Sequence, residues 1–486
     1  MIPGAEELSN HLERPLGRGH LPADAFTGAA GGAACGDLIR ISLALGPQSP
    51  DGEILDAGFD ATGCGAAVAA GSAVVGLVRG APLLAAARIG AADIAAELGG
   101  LSAPKRHAAE LAADALHRAL GAAARARAAL APCAGRTLVA MSGGVDSAAA
   151  AWLLAQGERE AVGVTLELWS DPENDGEQSC CSAQAVRGAR ELAHGLGMAH
   201  LSIDLRAEFR AGVVEHWLAD HAAGLTPNPC VRCNGNVRLD AMLELAEQLG
   251  AEALATGHYA RVDHAQSAPL LRIAVDRAKD QSYVLCALAP ASLARLRFPL
   301  GEMHKPEVRE LASRAGLSVA GRRDSQDLCF LAGTRSGAFL ARHGGLGERR
   351  GPVLDLDGRV LGEHAGAHVY TVGQRHGLGI AAPAPLYVLA TDTATNTVTV
   401  GPRAELLSGG LLVRAATLHR EGRRVDGVRV RAHGRLLVAS LPGEPSAGRH
   451  ESVRVQLGEP AERTAPGQIA CLYSGELVVG YGTIAA

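Results

Sequence analysis

Three groups of residues have types and spacings that could do chemistry. The first is Ser142-Gly143-Gly144-Val145-Asp146-Ser147, two glycines flanked by small polar side chains. Placed between a strand and a helix, such a run makes a phosphate cradle. Glycine lets the backbone approach a ligand closely, and a helix N-terminus offers unpaired N–H groups and a positive dipole end. No lysine follows the second glycine, so this is not a Walker loop, and the Gly-x-Gly-x-x-Gly spacing is absent. The second group is three thiols, Cys230 and Cys233 in Thr226-Pro-Asn-Pro-Cys-Val-Arg-Cys-Asn234, and Cys329 in Asp324-Ser-Gln-Asp-Leu-Cys-Phe330. A thiolate is both nucleophile and sulfur carrier, so thiols converging on one cleft suit sulfur chemistry, and Arg232 would make that cleft electropositive. A Cys-x-x-Cys alone suits zinc, but no second pair of matching spacing lies nearby, and Cys180 and Cys181 are adjacent. The third group, Cys35, Asp37, Cys64 and His107, consists of metal-ligand residue types, its cysteines beside glycines at the ends of expected elements.

The elements that must position these groups follow from hydropathy. Residues 137–141 read as a short buried strand and 148–156 as an alanine- and leucine-rich helix closed by Gly157. Strand and helix then alternate: strand 161–169, helix 183–196, strand 200–205, helices 208–223 and 239–249, and strand 252–256. That order predicts a parallel sheet with helices on both faces and ligands at the C-terminal ends of the strands. Leu166, Gly257 and His258 fall at that edge. Two prolines predict that no helix occupies residues 226–234. Residues 386–400 alternate as a hairpin, and 428–437 and 469–480 read as strands. Residues 1–120 form an Ala- and Gly-rich unit, and 121–135 read as a helix and linker into the next.

At 486 residues, with 48% hydrophobic and 20% charged, the chain is a multidomain globular protein. The longest apolar run, residues 65–78, stops at Arg79 and is too short to span a bilayer, and the first seventeen residues hold no apolar core. A soluble cytoplasmic protein is expected, with no membrane partner. Ten cysteines are too sparse for a secreted disulfide framework, and Cys286 and Cys471 read as buried inert thiols. A net charge of −5 argues against nonspecific coating of nucleic acid, yet Arg420, Arg423, Arg424, Arg429, Arg431 and Arg435 make one local basic stretch.

The cradle resembles the loop of the N-type ATP pyrophosphatases, which split ATP between the α and β phosphates and leave an adenylated substrate. That loop, Asn228-Pro-x-x-x-Cys233-Asn234, Ala255-Thr-Gly-His258-Tyr259, Lys279-Asp-Gln281-Ser-Tyr283, Asp324-Ser to Cys329-Phe330 and Gly373-Gln-Arg375-x-Gly-Leu-Gly-Ile380 stand in the order of the tRNA-specific 2-thiouridylases. The resemblance covers roughly residues 136–486. It implies an α/β fold, with a doubly wound parallel-sheet ATP pyrophosphatase domain over 136–300, a small central domain over 301–384 and a C-terminal β-barrel over 385–486. It also implies adenylation of the C2 oxygen of an anticodon wobble uridine by ATP and Mg2+, then sulfur transfer from a cysteine persulfide. Ala140, Met141, Ser142, Gly143, Gly144, Val145, Asp146 and Ser147, with Leu166 and Gly257, would hold ATP. Cys329 would carry the persulfide and Cys233 would attack it or assist sulfur release, which brings disulfide-bond chemistry with it. Asn228, Pro229, Cys230, His258, Lys279, Asp280, Gln281, Arg431 and Gln468 match positions that contact the tRNA or its target base.

Members of that family often carry aspartate where Cys230 stands. Cys230, Cys233 and Cys329 could therefore hold a 4Fe-4S cluster instead, although the persulfide route is favoured. An amide-forming pyrophosphatase is a rival in the same fold, but it has no need of paired cysteines.

In the first unit, the order of Cys35-Gly-Asp37, Gly63-Cys64-Gly65 and Lys105-x-His107 resembles the NifU/IscU-like scaffolds for iron-sulfur cluster assembly, and implies an α+β domain over 1–120. The pattern breaks at Ala108, where the scaffolds have a third cysteine, and at Leu101-Ser-Ala-Pro-Lys105, a reduced form of their Leu-Pro-Pro-Val-Lys motif. Cys35, Asp37, Cys64 and His107 then suit Zn2+ better than a cluster. A structural or docking role and a sulfur-carrier role that receives sulfur from a cysteine desulfurase both stay open.

Overall fold

The computed structural model describes residues 5–32, 36–46, 49–157, 159–171, 182–265, 268–324, 328–331 and 333–485. Cys35, Cys180 and Cys181 lie outside the described residues.

The first unit is an antiparallel sheet of β1 (Phe26–Gly31), β2 (Leu38–Leu45) and β3 (Ile54–Thr62), in that order. Alternation along β2 turns Ile39, Ile41 and Leu43 inward, each fully buried, against the helices Gly65–Val78 and Arg106–Ala126. Contact is backbone to backbone at Gly28, where a Cβ would lie 2.2 Å from Ala115 O.

The second unit is an all-parallel sheet of β4 (Cys133–Ala140), β5 (Ala161–Glu167), β6 (Ala199–Asp204), β7 (Ala251–Ala255) and the two-residue strand Leu296–Arg297. Its order is Leu296–Arg297, β7, β4, β5, β6. The winding direction reverses at β4, so the crevice for a ligand opens between the ends of β4 and β7. β5 is buried at every position, which is why it reads as an unbroken apolar run.

Two expectations about connections are corrected. The helix entering the supposed linker runs unbroken from Arg106 to Ala126 and serves both units. Its other side packs on β6, where a Cβ on Gly121 would lie 1.9 Å from Ser202 O. Arg118 donates at 2.9 and 2.8 Å to the Glu167 carboxylate at the end of β5 and at 2.7 Å to Ala29 O in β1. Small residues on both faces let one helix sit between two sheets, so the units are joined as one packed body. The second correction concerns residues 226–234, which contain the helix Pro229–Cys233. Proline is tolerated at the first helical position because its missing N–H would have no partner there, and the Asn228 side chain caps the turn by accepting from Val231 N at 3.2 Å.

The hairpin Tyr387–Asp392 and Thr397–Gly401 does not join the barrel. It completes a four-stranded sheet with Gly351–Leu354 and Val360–His364, with Val353 opposite Val398. Val353, Val388, Val398 and Val400, all fully buried, give this sheet its own core. The barrel that follows closes six strands, Leu407–Leu418 pairing with both Gly448–Glu462 and Leu477–Ile484. Arg261–Asp263 and Leu270–Arg272 extend the same sheet from the pyrophosphatase-like unit. Among the described residues no helix is long and apolar enough to cross a membrane.

Candidate active site

The cradle is built where β4 ends. Gly143 has φ +71°, a left-handed conformation that favours glycine, and Gly144 starts the helix Val145–Ala155, three residues earlier than the apolar pattern indicated. The Ser147 hydroxyl closes the loop, accepting from Ser142 N at 3.2 Å and donating to Gly144 O at 3.0 Å. Gly257, after β7, lies against the first turn of that helix. A Cβ there would meet Asp146 C and Ser147 N at 2.7 Å, so only glycine allows the approach.

Around the cradle the structure gathers charges that sequence reasoning missed. Asp146 accepts from the Tyr259 hydroxyl at 2.9 Å and from Lys305 Nζ at 2.6 and 2.8 Å. The Lys305 side chain, 8% exposed, also lies 2.9 Å from Asp324, which receives Lys279 at 2.8 Å and Arg309 at 2.7 Å. Burial would raise the Asp324 carboxyl, but hydrogen bonds from Lys279 and Lys305 outweigh it and hold the group at about 2. Burial and the neighbouring Asp146 charge raise the Tyr259 phenol. Arg322 donates to Gly143 O at 2.9 Å. Lys305 stands 159 positions from Asp146 in the chain, and no local pattern marks it.

Ala140, Met141, Ser142 and Leu166 line a cavity of about 190 Å3 together with Cys230, Cys233 and Cys329. The three thiols and part of the cradle therefore share one space. Cys233 is buried and the other two are half-buried. Burial pushes the Cys230 thiol up, against the lowering charge of Arg238. Arg238 is the cation lining the cavity, whereas Arg232, expected there, donates to Gly212 O at 2.6 Å. Cys329 is held by its neighbour Phe330, whose ring lies 5.3 Å from Trp217 and 5.2 Å from Phe339 in an aromatic cluster.

The residues assigned to tRNA divide. Asn228 and Pro229 form the first turn that carries Cys230 and Cys233. His258 meets the Thr256 hydroxyl at 2.7 Å, and burial with the Arg238 charge lowers its pKa to about 3, so it is neutral at physiological pH. Lys279 is paired with Asp324, and Gln281 accepts from Tyr259 N at 2.9 Å, which places both beside the cradle. Gln468 donates to Thr226 O at 2.8 Å, tying the barrel to the segment before Asn228. Asp280 is corrected: its side chain is 1% exposed and is engaged by Ala274 N, the Ser282 hydroxyl and Arg429 at 2.9, 2.7 and 2.6 Å. Arg429 is corrected with it, being a buried partner in a barrel strand and lying over the Tyr473 ring at 5.3 Å. Arg431 and Arg435 are exposed and, with Arg403, line a separate cavity of about 640 Å3.

In the first unit Asp37, Cys64 and His107 converge, their ligand atoms all within 4.8 Å of one another. Asp37 accepts from Cys64 N at 2.8 Å, lies 2.8 Å from His107 Nε2 and receives the Cys64 thiol at 3.2 Å. The Cys64 N–H and the His107 hydrogen bond lower the Asp37 carboxyl, and the same Asp37 contact raises His107. Ala108 is fully buried on the inner side of its helix. The position of the scaffolds' third thiol is therefore core here.

The comparisons agree with this architecture unit by unit. Residues 5–128 match the NifU-like N terminal domain, 135–333 the tRNA methyl transferase HUP domain, 337–402 the tRNA methyl transferase PRC-barrel domain and 416–484 the aminomethyltransferase beta-barrel domain. The bifunctional protein NifU/MnmA of Rubrobacter xylanophilus is 43% identical, over 98% of this chain and 97% of its own. The tRNA-specific 2-thiouridylases MnmA of Roseiflexus castenholzii and Thermobifida fusca are 41% and 43% identical, each over 72% of this chain and over 99% and 95% of their own. With the NifU-like unit and the three thiouridylase-type units in one chain, the protein belongs to the bifunctional NifU/MnmA group of the tRNA-specific 2-thiouridylase family.

Proposed function

We propose that the protein is an ATP-dependent tRNA uridine 2-sulfurtransferase acting on an anticodon wobble uridine. The observation that carries this reading is the single cavity lined by the end of the cradle and by three thiols. The C2 oxygen of uracil is a poor leaving group, so it is first converted to an adenylate. Uracil O2 bonds to the α-phosphorus, pyrophosphate leaves with the electron pair, and the N3 proton passes to water. Mg2+ enters with ATP and neutralises phosphate charge, and Asp146, a hard oxygen ligand on the first turn of the cradle helix, would hold it. Gly143, Gly144 and the helix N-terminus hold phosphate, and Leu166 stands where the adenosine goes.

The persulfide on Cys329 then attacks C2 and AMP leaves with the old oxygen. The Cys233 thiolate attacks the Cys329 sulfur, which frees 2-thiouridine and leaves a disulfide that an external thiol must reopen. The target base must be turned out of its stack to enter, and such action on tRNA fits a cytoplasmic protein.

Purified protein is expected to form 2-thiouridine from tRNA, ATP, Mg2+ and a persulfide donor without iron. On the persulfide route Cys230 carries no transferred sulfur, so Cys230→Ser should keep activity within about threefold of the parent. Strict iron dependence, with a cluster absorbance lost in Cys230→Ser, would instead establish the cluster route.

Arg423, Arg424, Arg431 and Arg435 are the exposed arginines of the basic stretch, and Arg431 and Arg435 share the wall of one cavity. Neutralising Arg431 and Arg435 should weaken all tRNAs alike and reduce the slope of log K against log salt by about 1 to 2. An unaltered slope returns them to an ordinary solvated face.

The first unit fits zinc better than a cluster: Cys64, His107 and Asp37 would supply sulfur, nitrogen and oxygen to a tetrahedral ion, with Cys35 as the expected fourth ligand. Such a site would let the unit bind a cysteine desulfurase and relay sulfur. Metal analysis of the full chain should find about one zinc, lost at least tenfold in Asp37→Ala. Full iron and sulfide content on this unit would refute the ligand argument.

A further inference from the structure

We propose that Asn234 and Arg238 read the pairing edge of the target base and make the enzyme specific for uracil over cytosine. This rests on the sulfurtransferase reading and deepens it at the point where the base is admitted.

Both residues line the cavity that holds the three thiols. Asn234 directly follows Cys233, and Arg238 ends the same wide turn, a π-helix over Asn234–Arg238. Such turns are rare and recur at functional sites. A second π-turn, Arg210–Val214, braces the first so closely that a Cβ on Gly212 would meet the Val237 side chain at 2.7 Å.

The other hydroxyls on the cavity wall are already engaged. The Thr165 hydroxyl donates to Met141 O and meets His200 Nε2, both at 2.9 Å, and the Ser142 hydroxyl meets that of Ser147 at 3.2 Å. Asn234, 5% exposed, keeps an unused group. Its Nδ2 donates to Val284 O at 3.3 Å, and because a carbonyl only accepts, the orientation of the amide is fixed. Oδ1 then has no hydrogen-bond partner among the described residues. An acceptor buried in this way costs free energy until a ligand donates to it. Arg238, half-buried, is a cation with no hydrogen bond or ion pair among the described residues. The two groups on which its charge acts, Cys230 and His258, are both held neutral by burial.

Uracil supplies what the pair lacks. Its pairing edge runs from the O4 acceptor through the N3–H donor to the O2 acceptor. Placing N3–H on Asn234 Oδ1 and O4 on Arg238 leaves O2 for the cradle, where adenylation needs it. N3 is bonded to C2, so the residue that reads N3–H belongs beside the thiols that deliver sulfur to C2, and Asn234 adjoins Cys233. Cytosine reverses both contacts, presenting a bare N3 to Oδ1 and an amino group to the guanidinium. A site built on hydrogen bonds rejects an analogue that leaves its polar groups unpaired.

The test uses the full-length protein and an anticodon stem-loop RNA carrying uridine, cytidine or 3-methyluridine at the wobble position, the last lacking N3–H. The parent should bind the uridine loop at least about tenfold more tightly than either of the others. Asn234→Ala should bind the uridine and 3-methyluridine loops within about twofold of each other. Arg238→Met should weaken the uridine loop about tenfold, with part of the loss recovered in Arg238→Lys, and both Asn234→Ala and Arg238→Met should keep the Kd for ATP within about twofold. Equal affinity of the parent for the uridine and cytidine loops would overturn the proposal, as would the full preference persisting in Asn234→Ala. A loss of ATP affinity with the RNA preference intact would place the two side chains on the nucleotide instead. If Asn234→Ala fails to fold, an unchanged preference for uridine over cytidine in Arg238→Met overturns the reading. A parent that thiolates tRNA while these variants keep its preference refutes the assignment and leaves the function standing. A parent that selects uridine through Asn234 but never yields 2-thiouridine does the reverse.

Discussion

Cys329→Ser protein is expected to release pyrophosphate from ATP at close to the parent rate and to make no 2-thiouridine, a loss of at least about a thousandfold in sulfur transfer. The two steps should separate because the groups proposed for them touch different parts of the cavity. The cradle is held by the Ser142–Ser147 contact, by Gly257 against Asp146 and by the Asp146–Lys305 pair, none of which involves Cys329. Cys329 lies on the same cavity's wall, half-buried and steadied by Phe330 in the aromatic cluster. A serine there fits the space, but oxygen cannot carry a transferable sulfur. Cys233→Ser should lack free product as well, yet it should stall with the tRNA joined to Cys329 through the transferred sulfur, a disulfide adduct that mass spectrometry detects and an added thiol releases. Equal loss of pyrophosphate release and sulfur transfer in Cys329→Ser would sink the division of roles.

Arg429→Ala should be a stability mutant and not an RNA-binding mutant. Its side chain is 10% exposed and donates at 2.6 Å to Asp280, which is 1% exposed, so removing it leaves a carboxylate buried without its cation. Breaking one side of such a pair costs on the order of 3 to 5 kcal/mol. The pair also joins the barrel strand Gly427–Arg429 to the segment that carries Lys279 and Gln281, so the loss should loosen the barrel from the pyrophosphatase-like unit. Replacing both partners together, Arg429→Met with Asp280→Asn, should recover much of the stability because no charge is then stranded. A urea midpoint for Arg429→Ala equal to that of the parent, with a reduced salt slope for tRNA, would return Arg429 to the RNA-contacting set.

Residue types and spacing alone were enough for the cradle, the three thiols, the Asp37–Cys64–His107 set and the α/β alternation, because each is a local pattern with a local physical cause. Glycines at 143 and 144 permit a loop, apolar runs bounded by turn residues make β4 to β7, and a parallel sheet puts its ligands at strand ends. Reading the prolines at 227 and 229 as excluding helix failed on one positional detail, since proline breaks a helix interior but opens a first turn. Tertiary structure alone decided which charges face the ligand and which face each other. Lys305 and Arg429 look equally solvated as letters, yet one ends beside Asp146 across 159 positions and the other beside Asp280 across 149. The same holds for the helix Arg106–Ala126, whose second face becomes visible only once β6 lies against Gly121. Burial and pairing of charges depend on segments far apart in the chain, and no window along the sequence contains both partners.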